Sequence, residues 1–438
     1  LLTAPRPSVG DSPLHFGDNR PPLGLGYIAA YLEKHGHQTK IVDLYHFWGE
    51  ISKPNPGVKQ EEPFPQLSID LDSEIQSFQP DFIGIYIQTL SYYIVRELAR
   101  ELKQKYPGII LMCGGPHPTV LPESIPAEFD HVVIGEGEFA SLSIVEGRIR
   151  DRIIQGTRVK NLDDLPWPNY DWFIDKPYNW KLSIFGYEDL QPVLTLNTSR
   201  GCPYLCRFCG VRYVSGRRFR GIPPEKLVMK LIGLQEKYEV KGAYFREDNF
   251  TSNISRLQKF CDLMIEKQVN LKWACESRVK ELSEPLIEKM VKAGCCGLYI
   301  GVESGSQRIL EYIKKKESVE DFLDRFQILH NHGIKTYTTW VYGFPTETRE
   351  DRRFSADLLA RLNPTFYDRF VYIGLPKSYF YCQLDKNNKY ELKELNGIIY
   401  PMGYLSLAQQ LYGQDDPRCK YVEKIYENNN VSQVHITL

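Results

Sequence analysis

Short runs of β-branched and aromatic residues alternate with amphipathic stretches along most of the chain, which is the pattern of parallel sheets joined by crossover helices. In the first 146 residues the apolar runs are LLTAP (1–5), QTKIVDL (38–44), DFIGIYIQ (81–88), IILMCGG (109–115) and HVVIGEGE (131–138). Between them PLGLGYIAAYLEKHG has helical spacing ended by Gly36, and YYIVRELARELKQKY is helical up to Pro107-Gly108. Residues 147–191, including NLDDLPWPNYDWF, lose both periods and read as a linker ordered by its aromatics. A second alternation follows, with PVLTLNTS (192–199), GAYFRED (242–248), NLKWACES (270–277), GLYIGVES (297–304), KTYTTWVYG (335–343) and YDRFVYIG (367–374). Residues 379–438 have no period that identifies their elements, and are expected to form a C-terminal extension, a cap or a substrate-binding segment.

The fold class is therefore α/β: a flavodoxin-like doubly wound sheet over 1–146, a linker over 147–191, and a partial (β/α)6 TIM-like barrel over 192–378. Both architectures place ligands beyond the carboxyl ends of their strands. In the first domain those ends carry Gln88, Thr89, Leu90 and Ser91, then CGGPHPT with Gly114, Gly115, His117 and Thr119, then GEGE with Gly135, Glu136 and Gly137. Glycines there let a bulky ligand approach the backbone. In the barrel the ends carry Cys202, Cys206 and Cys209, then Glu247-Asp248-Asn249, Glu276 with Arg278, Glu303-Ser304-Gly305, Gly343-Phe344-Pro345 and Gly374-Leu375-Pro376. Polar and glycine-rich residues converge on one rim.

Composition narrows the partners. Of 438 residues, 42% are hydrophobic and 25% charged, with a net charge of -1, so the basic footprint of a nucleic-acid binder is absent. No apolar run approaches the roughly 20 residues of a membrane span, and the first residues lack a signal-peptide pattern, so the expected location is cytoplasmic. Ten cysteines are too sparse for a disulfide scaffold, which turns attention to the three that cluster.

TSRGCPYLCRFCG (198–210) spaces them as C-x3-C-x2-C with no histidine nearby. Three thiolates on one loop can ligate three irons of a [4Fe-4S] cubane and leave the fourth iron open. A closed zinc site needs a fourth nitrogen or sulfur ligand, which a distant Cys275 or Cys296 would have to bring. The carboxylates have plainer readings as well: Glu247 and Asp248 as helix caps, Glu303 as a helix start, Arg278 as an ion-pair partner. RYVSGRRFRG (212–221) reads as a solvated basic face or a guide for an anionic substrate or reductant, and IKKKES (313–318) as a solvated helix end.

A C-x3-C-x2-C loop after the first strand of a partial barrel resembles the radical S-adenosylmethionine superfamily, over Pro192 to about Pro376. The resemblance implies that Cys202, Cys206 and Cys209 hold a [4Fe-4S] cluster whose open iron binds S-adenosylmethionine. It implies reductive cleavage to a 5'-deoxyadenosyl radical that abstracts hydrogen from substrate. It places Phe208 near the adenine, Glu247, Asp248 and Asn249 near the methionine amino group, and Glu303 and Ser304 near the ribose or carboxylate; Arg278 is a further candidate contact. PPLGLGYIAAYLEKHGHQTKIVDL, GGPHPTVLPE and VVIGEGE followed by LDDLPWP resemble the cobalamin-binding-domain subfamily, which includes C-methyltransferases and the anaerobic porphyrin ester cyclase. That implies cobalamin against Gln88, Thr89, Leu90, Ser91, Gly114, Gly115, His117, Thr119, Gly135, Glu136 and Gly137. The D-x-H-x-x-G cobalt-ligand motif is absent; Asp43, His46 and Gly49 imitate it at the wrong spacing.

The leading expectation is a cobalamin-dependent radical methyltransferase, using an electron donor such as flavodoxin or ferredoxin and a small-molecule or peptide substrate. Radical cyclisation, oxidation or rearrangement on the same scaffold, with or without cobalamin, is the alternative. A zinc-binding structural or regulatory module is the alternative of another class. Pro376-Lys377-Ser378 departs from the subfamily's usual proline-glycine-threonine turn.

Overall fold

The computed structural model describes residues 1–4, 8–9, 12–13, 19–44, 70–382, 392–395, 398–401 and 404–428. These fall in two compact units, one drawn from 1–159, 165–178 and 415–428, the other from 160–164 and 179–414. His46 and Gly49 lie outside the described residues.

The first unit is built on a five-stranded parallel sheet, β1 (Leu2–Thr3), β2 (Phe82–Tyr86), β3 (Ile110–Gly114), β4 (His131–Ile134) and β5 (Ile153–Gln155), adjacent in that order. Leu2 also bridges Val42 in parallel, so the QTKIVDL segment flanks β1 on the side away from β2. That order is the flavodoxin type predicted. β5 falls in the stretch read as linker and extends the sheet past β4. Helix α1 is Leu23–Lys34, α2 is Leu71–Phe78, α3 is Tyr92–Lys105 and α4 is Glu138–Val145. On α3 the buried residues Ile94, Val95, Leu98, Ala99 and Leu102 form one stripe at helical spacing. Val95, Leu98, Ala99 and Leu102 pack on Ile83, Ile85, Leu111 and Cys113 of the sheet, each full burial of a large apolar chain contributing about 1.5–3 kcal/mol.

The second unit carries six parallel strands, again adjacent in chain order: β6 (Val193–Leu196), β7 (Gly242–Phe245), β8 (Lys272–Ser277), β9 (Cys295–Glu303), β10 (Lys335–Tyr342) and β11 (Phe366–Val371). All six predicted strands are present, and β6 and β11 are the edges of an open, partial barrel. The crossover helices are α5 (Pro224–Tyr238), α6 (Ile254–Glu266), α7 (Glu284–Lys292), α8 (Gln307–Tyr312), α9 (Val319–Asn331) and α10 (Arg349–Leu362). Capping boxes start α9 at Ser318 with Asp321, and α10 at Thr348 with Asp351. Outside the sheet Phe245, Phe250, Phe260 and Trp273 interlock with ring centroids 4.4–5.9 Å apart. Inside it, Leu182 and Phe185 fill the amino-terminal end of the barrel against Val193, Tyr244, Ala274 and Cys296. Gly297 is required there, since a Cβ would stand 2.8 Å from the Phe185 ring. The aromatic-rich stretch is thus in part a plug, and the opposite, carboxyl end of the strands stays free for chemistry.

The last helices divide between the units. Tyr404–Tyr412 (α11) belongs to the second and Pro417–Asn428 (α12) to the first. No helix among the described residues is long and apolar enough to cross a membrane.

Candidate functional site

The cysteine loop leaves β6 through Ser199–Arg200, which pairs antiparallel with Arg220–Gly221. Gly201 has φ +92°, a left-handed conformation, and a Cβ there would overlap the Arg218 carbonyl. Its N–H donates to Asp248 Oδ2 at 2.7 Å, and Cys202 N–H to the Gly216 carbonyl at 3.1 Å. Cys202, Cys206 and Cys209 are all partly exposed and free. Burial pushes the Cys209 thiol up to about 12, and the neighbouring Cys206 and Cys202 add to that, so the three sulfurs share one electrostatic environment. Val211 N–H donates to Cys209 Sγ at 3.5 Å, and Arg278 Nη1 to Cys206 Sγ at 3.7 Å. Among the described residues no three His, Cys, Asp or Glu side chains close on a single-ion position. The donor set fits a cubane, whose irons each take one thiolate, and hydrogen bonds to sulfur are how proteins tune such clusters.

Glu247, at the end of β7, accepts from Thr198 N–H at 2.5 Å, Thr198 Oγ1–H at 2.6 Å and the Ser199 hydroxyl, with Arg256 beneath at 3.1 Å from Thr198 Oγ1. Burial pushes its carboxyl up, with Arg256 and these donors opposing. Glu247 and Asp248 therefore tie the start of the cysteine loop to the neighbouring strand. Asn249 beside them has a fully buried Nδ2 with no hydrogen-bond partner. Phe208 joins Phe344, 5.5 Å between ring centroids, and Phe344 joins Tyr372 at 5.3 Å, an aromatic wall from three strand ends.

Ser304 is fully buried against α10, its Oγ 3.3 Å from Ser355 Oγ, and Gly305 N–H donates to Ser355 Oγ at 2.9 Å. Glu303 has φ +72°, a strained conformation for a side chain, at a register shift between β9 and β10. A Cβ on Gly301 would overlap the Glu303 carboxylate and stand 3.2 Å from Lys315 Nζ. The missing side chain is what lets Glu303 fold toward Lys315, 3.5 Å away.

The solvated helix end expected at IKKKES is corrected by this structure. α8 stops at Tyr312, Lys314 and Lys316 take positive φ, and the segment alternates: Lys314 and Lys316 outward, Lys315 and Glu317 inward at 5% and 3% exposure. Lys315 Nζ lies 3.6 Å from Glu317 Oε2, and Arg278 Nη2 lies 3.2 Å from the same oxygen. Burial opposes the Lys315 charge, yet Glu303 and Glu317 more than offset it and its pKa is raised.

Register puts Asn197, Arg246, Glu276, Tyr299, Tyr337 and Phe366 at one level of the six strands, on the inner face. Tyr299 and Tyr337 stack at 4.9 Å. Glu276, with its side chain 28% exposed, lies 3.9 Å from Arg246 Nε and accepts from Tyr244 Oη at 3.4 Å. Burial pushes it up to about 7, against the pull of Arg246. The sequence placed Glu276 at a strand end without assigning it a part; only the register turns it inward.

At the sheet edge of the first unit, Gly115 has φ +108° and a Cβ would stand 2.9 Å from both the Ile87 carbonyl and the Tyr86 ring. Thr119 Oγ1–H donates to the Gly115 carbonyl at 2.7 Å and accepts from Gly135 N–H at 2.9 Å, locking two glycine turns together. His117 is buried, stacked on Tyr92 at 4.2 Å, with ring nitrogens 3.3 Å from Thr89 Oγ1 and 3.0 Å from Ser124 Oγ. Burial lowers its pKa to about 4, so it is a neutral strut. Glu136 turns inward to accept Val159 N–H at 2.7 Å, whereas Gln88 is exposed and Leu90, Gly114 and Gly137 are half-buried along the same edge. Asp43 is structural, accepting from Thr3 and Tyr178 hydroxyls at 2.7 Å each. A glycine-lined edge with an exposed amide fits a broad planar ligand.

The Radical SAM superfamily profile matches residues 196–359 and the B12 binding domain profile matches 14–145. An uncharacterised methyltransferase of Pyrococcus horikoshii is 29% identical over 356 residues, 76% of this chain and 72% of that protein. The anaerobic magnesium-protoporphyrin IX monomethyl ester cyclase of Rubrivivax gelatinosus is 23% identical over 405 residues, covering 87% and 69%. Among solved structures, the radical S-adenosylmethionine methyltransferase TsrM of Kitasatospora setae, with cobalamin and a [4Fe-4S] cluster bound, has a TM-score of 0.61 at 16% identity, covering 84% and 74%. At that identity the likeness speaks for the fold.

Proposed function

We infer that this chain, which belongs to the radical S-adenosylmethionine superfamily and carries a B12-binding domain, is a cobalamin-dependent radical methyltransferase. When bound, the cluster and S-adenosylmethionine supply a 5'-deoxyadenosyl radical by one-electron reductive cleavage, and cobalamin supplies a methyl carrier. The observation that carries the reading is the loop of three free thiols at the barrel rim in one chain with a glycine-lined, B12-type sheet edge.

This chain's residues have separable parts. Cys202, Cys206 and Cys209 hold the cluster, and Glu247 and Asp248 fix where their loop begins. The Phe208–Phe344 wall borders the S-adenosylmethionine position. Glu303 acts there from its strained backbone, and Ser304 holds that turn on α10. Glu276, level with the Tyr299–Tyr337 stack that packs on the Phe185 plug, is placed to take or give a proton at a small-molecule or peptide substrate. Gly115, Gly135 and Thr119 form the cobalamin cradle, which His117 stiffens from behind. The electron comes from a donor of the flavodoxin or ferredoxin class.

The test is anaerobic purification with cobalamin supplied, followed by iron, sulfide and cobalt analysis and product mass. A methylated product supports the proposal. Cobalt-free protein that still turns over, or a product that loses hydrogens, favours the cyclisation reading, which similarity to the porphyrin ester cyclase over 87% of this chain keeps in view.

A further inference from the structure

Four charged side chains from three segments meet under the cysteine loop, and the sequence motif accounts for none of their pairings. Arg278 follows β8, Glu303 ends β9, and Lys315 and Glu317 come from the turn after α8. Arg278 is the one that reaches a cysteine: Nη1 donates to Cys206 Sγ at 3.7 Å, and the guanidinium lies 3.9 Å over the ring of Tyr204, also in the loop. Its other nitrogen is gripped by Glu317 Oε2 at 3.2 Å and by the Lys315 carbonyl. Glu317 is pinned in turn, its Oε1 accepting Val279 N–H at 2.8 Å and Lys280 N–H at 3.2 Å, while Lys315 bridges it to Glu303. All four side chains are at most 10% exposed.

Burying four charges is costly unless each is paired; here every charge has an opposite charge within reach although Arg278 Nε and Glu317 Oε2 make no hydrogen bond, so the network fixes its members' positions more than it adds stability. What it fixes is a positive charge against one sulfur of the loop. A buried cation beside a thiolate favours the more negative oxidation state of whatever that thiolate ligates, because the Coulomb term grows as water is excluded.

We propose that Arg278 is a positioning residue for the cluster through Cys206, not an S-adenosylmethionine contact. Glu317 and Lys315 hold its guanidinium so that the reduction potential of the cluster is set from this side of the loop. The inference rests on the cluster assignment above. The step it governs is entry of one electron from an external donor of the flavodoxin or ferredoxin class, the cluster gaining one negative charge and no bond changing. Glu317 acts through Arg278 and Lys315, and Gly301 acts by leaving room for Glu303.

The experiment is an electron-paramagnetic-resonance titration of the reconstituted cluster, without S-adenosylmethionine, in wild type, Arg278→Lys, Arg278→Met and Lys315→Met, each at measured iron and sulfide content. The potential of Arg278→Met should move to more negative values, Lys315→Met should move the same way by less, and Arg278→Lys should recover part of the loss. Equal potentials in wild type and Arg278→Met at equal iron content would overturn the proposal. If Arg278→Met holds no cluster, the other two variants decide it, and unchanged potentials in both overturn it. Wild type that takes up no iron would instead defeat the cluster assignment itself, which keeps the two failures apart.

Discussion

The rim of the barrel and the edge of the first sheet solve different binding problems with different chemistry. Around the cysteine loop the work is done by charge: Glu247, Arg256, Arg278, Glu303, Lys315 and Glu317 are buried and Asp248 is half-buried. At the sheet edge it is done by glycines, hydroxyls and a neutral histidine. Thiolates bound to iron and a sulfonium substrate are charged species that need fixed counter-charges. A corrin is a broad plane that needs backbone within reach and no side chain in the way. The contrast teaches that one site is set by electrostatics and the other by shape, and it can be broken from either side.

The largest effect is expected for Cys206→Ala, which should abolish 5'-deoxyadenosine formation and lower iron content while leaving cobalt content as in wild type. Gly115→Val comes next. Its φ of +108° and the 2.9 Å approach of the Ile87 carbonyl make any side chain strained, at a cost on the order of 1–3 kcal/mol. Cobalamin retention after gel filtration should fall, with cluster content unchanged. Loss of iron instead of cobalt in Gly115→Val would erase the distinction between the sites.

Glu276→Gln sharpens the comparison inside the barrel. It keeps the shape of the inner ring and removes the proton transfer, so turnover should fall roughly 10²-fold or more while reductive cleavage of S-adenosylmethionine persists. An unchanged rate would remove Glu276 from the substrate site.

The smallest effect is on stability against pH, and its sign differs between the regions. Burial raises Glu276 from 4.5 to about 7, so its contribution is complete below pH 4.5 and is lost as pH rises toward 7. Burial lowers His117 from 6.5 to about 4, so its contribution is complete above pH 6.5 and is lost as pH falls toward 4. Thermal unfolding across pH 4–7 should show Glu276→Gln flattening the loss on the alkaline side and His117→Gln flattening the loss on the acid side. Variants that shift the midpoint equally at every pH would contradict both assignments.

Much of this was legible in the sequence where the signal is local. All six barrel strands follow apolar runs, and three cysteines within eight residues announce their own chemistry. What escaped is what only long-range pairing creates. The Arg278–Glu317 pair spans 39 positions, and KKK before Glu317 resembles a solvated helix end until two positive φ angles turn alternate side chains inward. Glu276 is unremarkable until register sets it level with Arg246 and Tyr299. Ile153–Gln155 is too short to signal a strand, and the aromatic plug at Phe185 is recognised only from the glycine opposite it.

The central claim is that the three-cysteine loop holds a cluster that cleaves S-adenosylmethionine. Its most direct test is 5'-deoxyadenosine formation by the anaerobically reconstituted, chemically reduced protein, with metals counted in the same sample. Wild type should carry about four irons per chain, retain cobalamin and release 5'-deoxyadenosine, and Cys206→Ala should release none. Zinc in place of iron, or release of 5'-deoxyadenosine by Cys206→Ala at the wild-type rate, would contradict it.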